Sequence, residues 1–235
     1  MSKPIAVVDI GSTSIQLTIA EVTHNHLSIL RKEKRIARLA DQIESSGYLS
    51  QRGVDEIEAA LKSFQVIVSA FNIHMNVTAT ATIRAAKNRT MLIQRIHESL
   101  GIDIQLLSGA DEARLVLSGV LFGHPDFRSQ RILAVDVGGG SSELITSLQG
   151  QPATIASIPI GALVVHQKWL GFEQPTWSHV RTARRFLRAR FSDAVRLSQS
   201  VYIDSLVATG GTIQRLVRLI EGRPMSADAI DGQLV

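Results

Sequence analysis

Asp9 and Asp136 each end a short apolar run and open a tight turn of glycines and hydroxyl residues. The two stretches are Val7-Val8-Asp9-Ile10-Gly11-Ser12-Thr13-Ser14-Ile15-Gln16-Leu17 and Ala134-Val135-Asp136-Val137-Gly138-Gly139-Gly140-Ser141-Ser142-Glu143-Leu144, which align without a gap at an offset of 127 residues. A turn made of Gly11, Ser12, Thr13 and Ser14, or of Gly138, Gly139, Gly140 and Ser141, can gather N–H groups and hydroxyls around one point. That suits a phosphate oxygen, and the neighbouring Asp can hold a cation that offsets phosphate charge. Three glycines in a row between strands cost backbone entropy, so either a ligand approaches the second turn closely or the turn itself is unusual. Glu143 lies seven residues beyond Asp136, and a hairpin between them brings both carboxylates to one mouth.

Other residues fit the same chemistry less specifically. Glu112 falls in the first turn of a helix that opens at Ser108-Gly109-Ala110-Asp111 with capping-box spacing. It reads either as an acid compensating the helix dipole or as a carboxylate that orients or deprotonates a water attacking phosphorus. Arg84 and Lys87 follow the strand-like Asn76 to Thr82, where they read as surface charges or as phosphate contacts. A third glycine turn, Thr209-Gly210-Gly211-Thr212, precedes an amphipathic helix from Ile213 to Ile220 and is another candidate nucleotide or phosphate loop. Arg181, Arg184, Arg185 and Arg188 share the outward face of a helix spanning 177–199, with Val180, Ala183, Leu187, Ala194 and Val195 inward. His24 and His26 stand at a turn without further ligands nearby and read as solvated side chains.

The elements that must position these groups alternate as strands and helices. A hairpin over residues 5–21 is followed by a mixed stretch whose run Arg31-Lys32-Glu33-Lys34-Arg35 suits an exposed sheet edge. Ser50 then caps a helix with Val54, Ile57, Leu61, Phe64, Val68 and Phe71 on its core face. A helix through Ile93, Ile96 and Leu100 stops at Gly101, and 102–107 reads as a strand. The break at Gly123-His124-Pro125-Asp126 marks the boundary between a first lobe, 1–125, and a second, 126–235. At 235 residues, 45% apolar and 20% charged, the chain has a globular composition and room for two small cores. It contains no cysteine, which excludes disulfides, thiolate metal sites and a thiol nucleophile. No apolar run approaches a membrane span and no signal peptide is evident, so the cytoplasm is the expected location. A net charge of +4 admits a polyanionic ligand.

Five stretches together resemble the exopolyphosphatase/guanosine pentaphosphate phosphohydrolase family in order and spacing. They are Asp9 to Ser12, Ala79 to Asn88, Ser108 to Leu115, Asp136 to Leu144 and Thr209 to Thr212. The resemblance implies an α/β architecture, the duplicated actin-like (ribonuclease H-like) ATPase-type fold, with two lobes around a cleft. It implies hydrolysis of a terminal phosphoanhydride of inorganic polyphosphate or guanosine pentaphosphate with Mg2+ or another divalent cation. On this reading Glu112 is the general base, and Asp136 and Glu143 hold metal and organise the water, with Asp9 a further metal candidate. The turns at Gly11 to Ser14 and Gly138 to Ser141 are phosphate cradles, and Arg84 contacts phosphate. The expected ligands are polyphosphate or guanosine pentaphosphate, without DNA, RNA or membrane; many relatives pair as dimers, which makes a homodimer one candidate assembly, although no stretch of this sequence marks an interface. Two departures stand out: Thr13 replaces the family's usual Asn, and Gln16 its usual Arg. Relatives also carry elements beyond the third glycine turn, so the second lobe is expected to be truncated. A catalytically weak sensor of polyphosphate or guanosine tetra- or pentaphosphate is the rival reading, and a kinase or ATPase of the wider fold a third.

Overall fold

The computed structural model describes residues 3–23, 26–171, 174–199 and 202–222. They belong to two compact units, Met1–Ser108 and Gly109–Val235.

In the first unit, strand β1 (Ile5–Ile10) alternates, with Ala6, Val8 and Ile10 buried and Ile5 and Val7 exposed, so one sheet face must be covered. Strands β2 (Ser14–Thr23) and β3 (His26–Ile36) continue antiparallel on one side of it. Strands β4 (Met75–Ala79) and β5 (Ile104–Leu106) add parallel on the other, giving the order β3-β2-β1-β4-β5. The basic run lies in β3 at the sheet edge, where charge discourages further pairing. Helix α1 (Gln51–Ser69) starts where the Ser50 hydroxyl accepts the Gly53 amide at 3.2 Å. Its Val54, Ile57, Leu61, Phe64 and Val68 are buried against the sheet, each contributing about 1.5–3 kcal/mol of burial. Helices α2 (Ala81–Ala85) and α3 (Arg89–Leu100) complete this unit, α3 ending at Gly101 in the left-handed region. The strand expected over 76–82 stops at Ala79, and Thr80 to Thr82 instead lead into α2.

The second unit begins with helix α4 (Gly109–Gly123). Its sheet comprises β6 (Ile132–Val137), β7 (Ser142–Leu148), β8 (Gln151–Ile158) and, after the helices α5 (Ala162–Val165) and α6 (Trp177–Gln199), β9 (Ser205–Thr209). Helix α7 (Gly211–Ile220) follows. The order β8-β7-β6-β9, with β9 parallel to β6 and the other pairs antiparallel, repeats the order and directions of β3-β2-β1-β4. On one sheet face Ala113, Leu117, Val120 and Leu121 of α4 pack with Ile132, Ala134 and Ile145. On the other, Ala194, Phe186 and Phe191 of α6 pack with Leu144, Ile158 and Ile160. Val195, expected inward, is exposed because Phe186, Leu187 and Phe191 fill that stripe. The division between the units falls ahead of α4, whereas the sequence places its boundary after residue 125, because α4 buries its apolar stripe on the second sheet. His24 and residues 223–235 lie outside the described residues. Among the described residues no helix is long and apolar enough to cross a membrane.

Candidate active site

The pairing registers of the second sheet align four polar residues in one row: Thr209 on β9, Asp136 on β6, Glu143 on β7 and Ser157 on β8. Directly opposed residues share a face. Ala134 and Ile145, two residues from Asp136 and Glu143 on the same strands, pack with α4, so the row lies on the α4 face. The hydroxyls at its ends donate inward, Thr209 Oγ1 to Asp136 Oδ1 at 2.5 Å and Ser157 Oγ to Glu143 Oε1 at 2.9 Å. Glu143 is only 1% exposed. Burial pushes its carboxyl up to about 7 against the hydrogen bond from Ser157. The charge of Glu112 pushes the same way as burial, a Ser141 hydrogen bond opposes it, and Asp136 adds a further upward push. Glu112, half-buried in the first turn of α4, thus shares an electrostatic neighbourhood with the two acids of the row.

The glycine turn between β6 and β7 is fixed from below. The Gly138 amide donates to the Ser141 carbonyl at 3.0 Å. The Gly138 and Gly139 carbonyls accept the Ala162 and Leu163 amides at the start of α5, at 2.9 and 3.0 Å. In a trans peptide the N–H points opposite to the preceding C=O, so the Gly139 and Gly140 amides face away from α5. A Cβ at Gly161 would sit 2.4 Å from the Gly139 carbonyl carbon, which explains why glycine stands there. Ser142 Oγ donates to the Ile160 carbonyl at 2.7 Å and is therefore a structural hydroxyl.

The first unit builds a related turn. The Gly11 amide donates to the Ser14 carbonyl at 3.0 Å, as in the second. The Ser12 carbonyl accepts the Ala40 amide at 3.1 Å, and the Thr13 carbonyl accepts those of Ala37 and Arg38 at 3.0 and 2.8 Å. These bonds turn the Thr13 and Ser14 amides the other way. Thr82 Oγ1 donates to Ser12 Oγ at 2.7 Å, both side chains buried. The row corresponding to that of the second unit reads Thr78, Asp9, Gln16, Lys34, so an amide and an ammonium replace the second acid and its serine. Half-buried Arg84 donates to the Leu107 carbonyl at 2.7 Å.

At the third turn Gly210 has φ +94°, and a Cβ there would lie 2.8 Å from the Val137 carbonyl and 2.9 Å from Asp136 Oδ1. Close packing on β6 therefore demands this glycine. Gly211 is the first residue of α7 with open space around it, and Thr212 follows it half-buried. The second unit thus brings together Glu112, Asp136, Glu143, Gly138 to Ser141 and Gly210, while Asp9, Gly11 to Ser14 and Arg84 belong to the first. Two concavities of the first unit, one lined by Arg38, Asp41 and Glu56 and the other by His74, Asp103 and Gln105, contain none of these residues. Thr209 enters the sequence reading as part of the third glycine turn, but neither its bond to Asp136 nor the bond of Ser157 to Glu143 is signalled there.

Among the described residues no group of three or more His, Cys, Asp or Glu side chains is arranged to hold a metal. Mg2+ is commonly held by one or two carboxylates with substrate phosphates completing its shell. The adjacent Asp136 and Glu143 fit that donor set, a cation shared with a phosphate ligand.

A sequence profile of the Ppx/GppA phosphatase family matches residues 18–234. Exopolyphosphatase 1 of Mycobacterium tuberculosis (strain H37Rv) is 29% identical over 226 residues, covering 95% of this chain and 65% of that protein. The Mycobacterium leprae protein of the same name is 29% identical over 228 residues, with 95% and 66% covered. This chain therefore spans just under two thirds of those relatives. The crystal structure of the Aquifex aeolicus Ppx/GppA family member superposes with a TM-score of 0.77 at 27% identity, covering 95% of this chain and 71% of that one. An exopolyphosphatase from Cytophaga hutchinsonii gives a TM-score of 0.85 at 24% identity over 95% of this chain and 72% of that one, a likeness of fold.

Proposed function

We propose, since the chain belongs to the Ppx/GppA phosphatase family and has its actin-like fold, that it hydrolyses the terminal phosphoanhydride bond of inorganic polyphosphate or guanosine pentaphosphate. The observation that carries this reading is the second sheet's row of Asp136 and Glu143, with Glu112 above it and the Gly138–Ser141 turn beside it. Its relatives include exopolyphosphatase 1 of Mycobacterium tuberculosis, which supports the same substrate class. The two compact units are taken as the duplicated halves of the fold.

In the second unit the outward amides of Gly139 and Gly140 are assigned phosphate oxygens; in the first unit, taken by itself, the Thr13 and Ser14 amides and Arg84 are assigned phosphate contacts. Asp136 and Glu143 would hold a divalent cation, which would supply neutralisation of phosphate charge there. Glu112 orients a water and takes one of its protons as the oxygen attacks the terminal phosphorus. The bond from that phosphorus to the bridging oxygen breaks, and its electron pair stays on the shortened chain. Positioning and charge neutralisation supply most of the acceleration, because phosphoryl transfer needs little covalent help. Asp9 is assigned as an auxiliary acid, and Gly210 to Thr212 as the support of the row.

The test is phosphate release by the purified protein with Mg2+, offering polyphosphate and guanosine pentaphosphate in parallel. Release by wild type that falls by about 10²-fold or more in Glu112→Gln supports the hydrolase. Mg2+-dependent binding of either compound without any release would instead make the protein a sensor.

A further inference from the structure

The row across the second sheet contains two residues that the proposed chemistry has not used. Thr209 and Ser157 stand at its ends, each donating to one oxygen of the neighbouring acid, at 2.5 and 2.9 Å. We infer that Thr209 and Ser157 are positioning residues, which hold the Asp136 and Glu143 carboxylates in the orientation needed to share a cation with a phosphate ligand. This inference rests on the hydrolase reading for its kinetic form but has an independent readout.

Three observations support it. First, the arrangement is symmetric about the two acids: hydroxyl, carboxylate, carboxylate, hydroxyl on four adjacent strands. Two adjacent carboxylates repel, and a donor at the far side of each stabilises an orientation that a lone acid would leave. Second, register alone does not produce the Thr209 bond. In the first unit Thr78 stands opposite Asp9 as Thr209 stands opposite Asp136, yet its hydroxyl donates to the Val8 carbonyl at 3.2 Å. Third, the Thr209 contact, at 2.5 Å, lies at the short end of the range for O–H···O hydrogen bonds. Gly210 reinforces the same geometry, because its missing Cβ lets β9 lie close to Asp136 Oδ1. Partners that orient a metal-binding carboxylate typically matter about 10–100-fold in affinity or activity.

The experiment compares wild type with Thr209→Val, Thr209→Ser and Ser157→Ala, each checked for cooperative unfolding. Steady-state phosphate release is expected to show kcat lower by about tenfold or more in Thr209→Val, with KM within about threefold, and largely restored in Thr209→Ser. A folded Thr209→Val with wild-type kcat, or a Thr209→Ser as impaired as Thr209→Val, overturns the inference. If Thr209→Val does not fold, Ser157→Ala is judged on the same split, with Ser157→Thr as the conservative variant. If wild type releases no phosphate, the hydrolase reading fails by itself. Mn2+ binding in the presence of a methylene-bridged triphosphate, followed by electron paramagnetic resonance, then decides. About tenfold weaker Mn2+ binding by Thr209→Val supports positioning, and equal binding refutes it.

Discussion

Glu143 is buried, yet its ordinary state at neutral pH would be charged, and two other carboxylates face it. Its carboxyl sits at about 7 in the folded protein against about 4.3 for an exposed Glu. The folded state therefore holds this proton more tightly than the unfolded chain. The stability it contributes is complete below the unfolded value and is lost as pH rises through about 7. The size is of order 3 kcal/mol, taking about 1.4 kcal/mol per unit. Denaturant unfolding at pH 4.5 and pH 8 (about two bracketing values) should show this loss in wild type and little of it in Glu143→Gln. An equal pH response in both proteins would assign the effect to other groups. At the same scale, Glu143→Gln should be more stable than wild type above pH ~7 and still lose most phosphate release. A stable, fully active variant would remove Glu143 from the site.

Two glycines show how elements, more than single side chains, set the geometry. Gly161 lets the start of α5 press on the Gly138–Gly140 backbone, and Gly210 lets β9 press on the end of β6. Gly161→Ala puts a methyl within 2.4 to 2.5 Å of backbone atoms that cannot rotate away, so the turn must move. A destabilisation of about 1–3 kcal/mol, with loss of phosphate release, is expected by thermal unfolding and activity assay. An unchanged melting temperature would mean that the turn has slack. The hairpin that pairs Asp136 with Glu143 is legible from seven-residue spacing, as is the helix start that supplies Glu112. Thr209 and Ser157 are not legible, because their contacts depend on which strand lies beside β6 and β7, and β9 reaches β6 only after a long crossover. The early end of β4 at Ala79 is likewise a tertiary choice, since Thr80 to Thr82 suit a strand as well as the cap and start of α2 that they form. The third glycine turn reads as an anion loop, and packing on β6 gives Gly210 a structural reason that the sequence does not reveal.

Across the whole molecule the strand order β3-β2-β1-β4 of the first sheet recurs as β8-β7-β6-β9 in the second, while the residues in the two corresponding rows differ. The second row holds two acids between two hydroxyls; the first holds one acid, an amide and Lys34. On the proposed reading the acids of the second unit hold the cation and activate the water. A chain with net charge +4 that binds a polyanion should show kcat/KM for polyphosphate falling several-fold between about 0.05 and about 0.5 M salt, and a flat profile would speak against charge-led binding. Hydrolysis in 18O-enriched water tests most directly the proposed attack of a Glu112-activated water at the terminal phosphorus. The prediction is one 18O in each orthophosphate released by wild type, none in the shortened chain, and a rate lower by about 10²-fold or more in Glu112→Gln that still binds Mg2+ and polyphosphate. Label in the shortened chain, or release by Glu112→Gln at the wild-type rate, would contradict it.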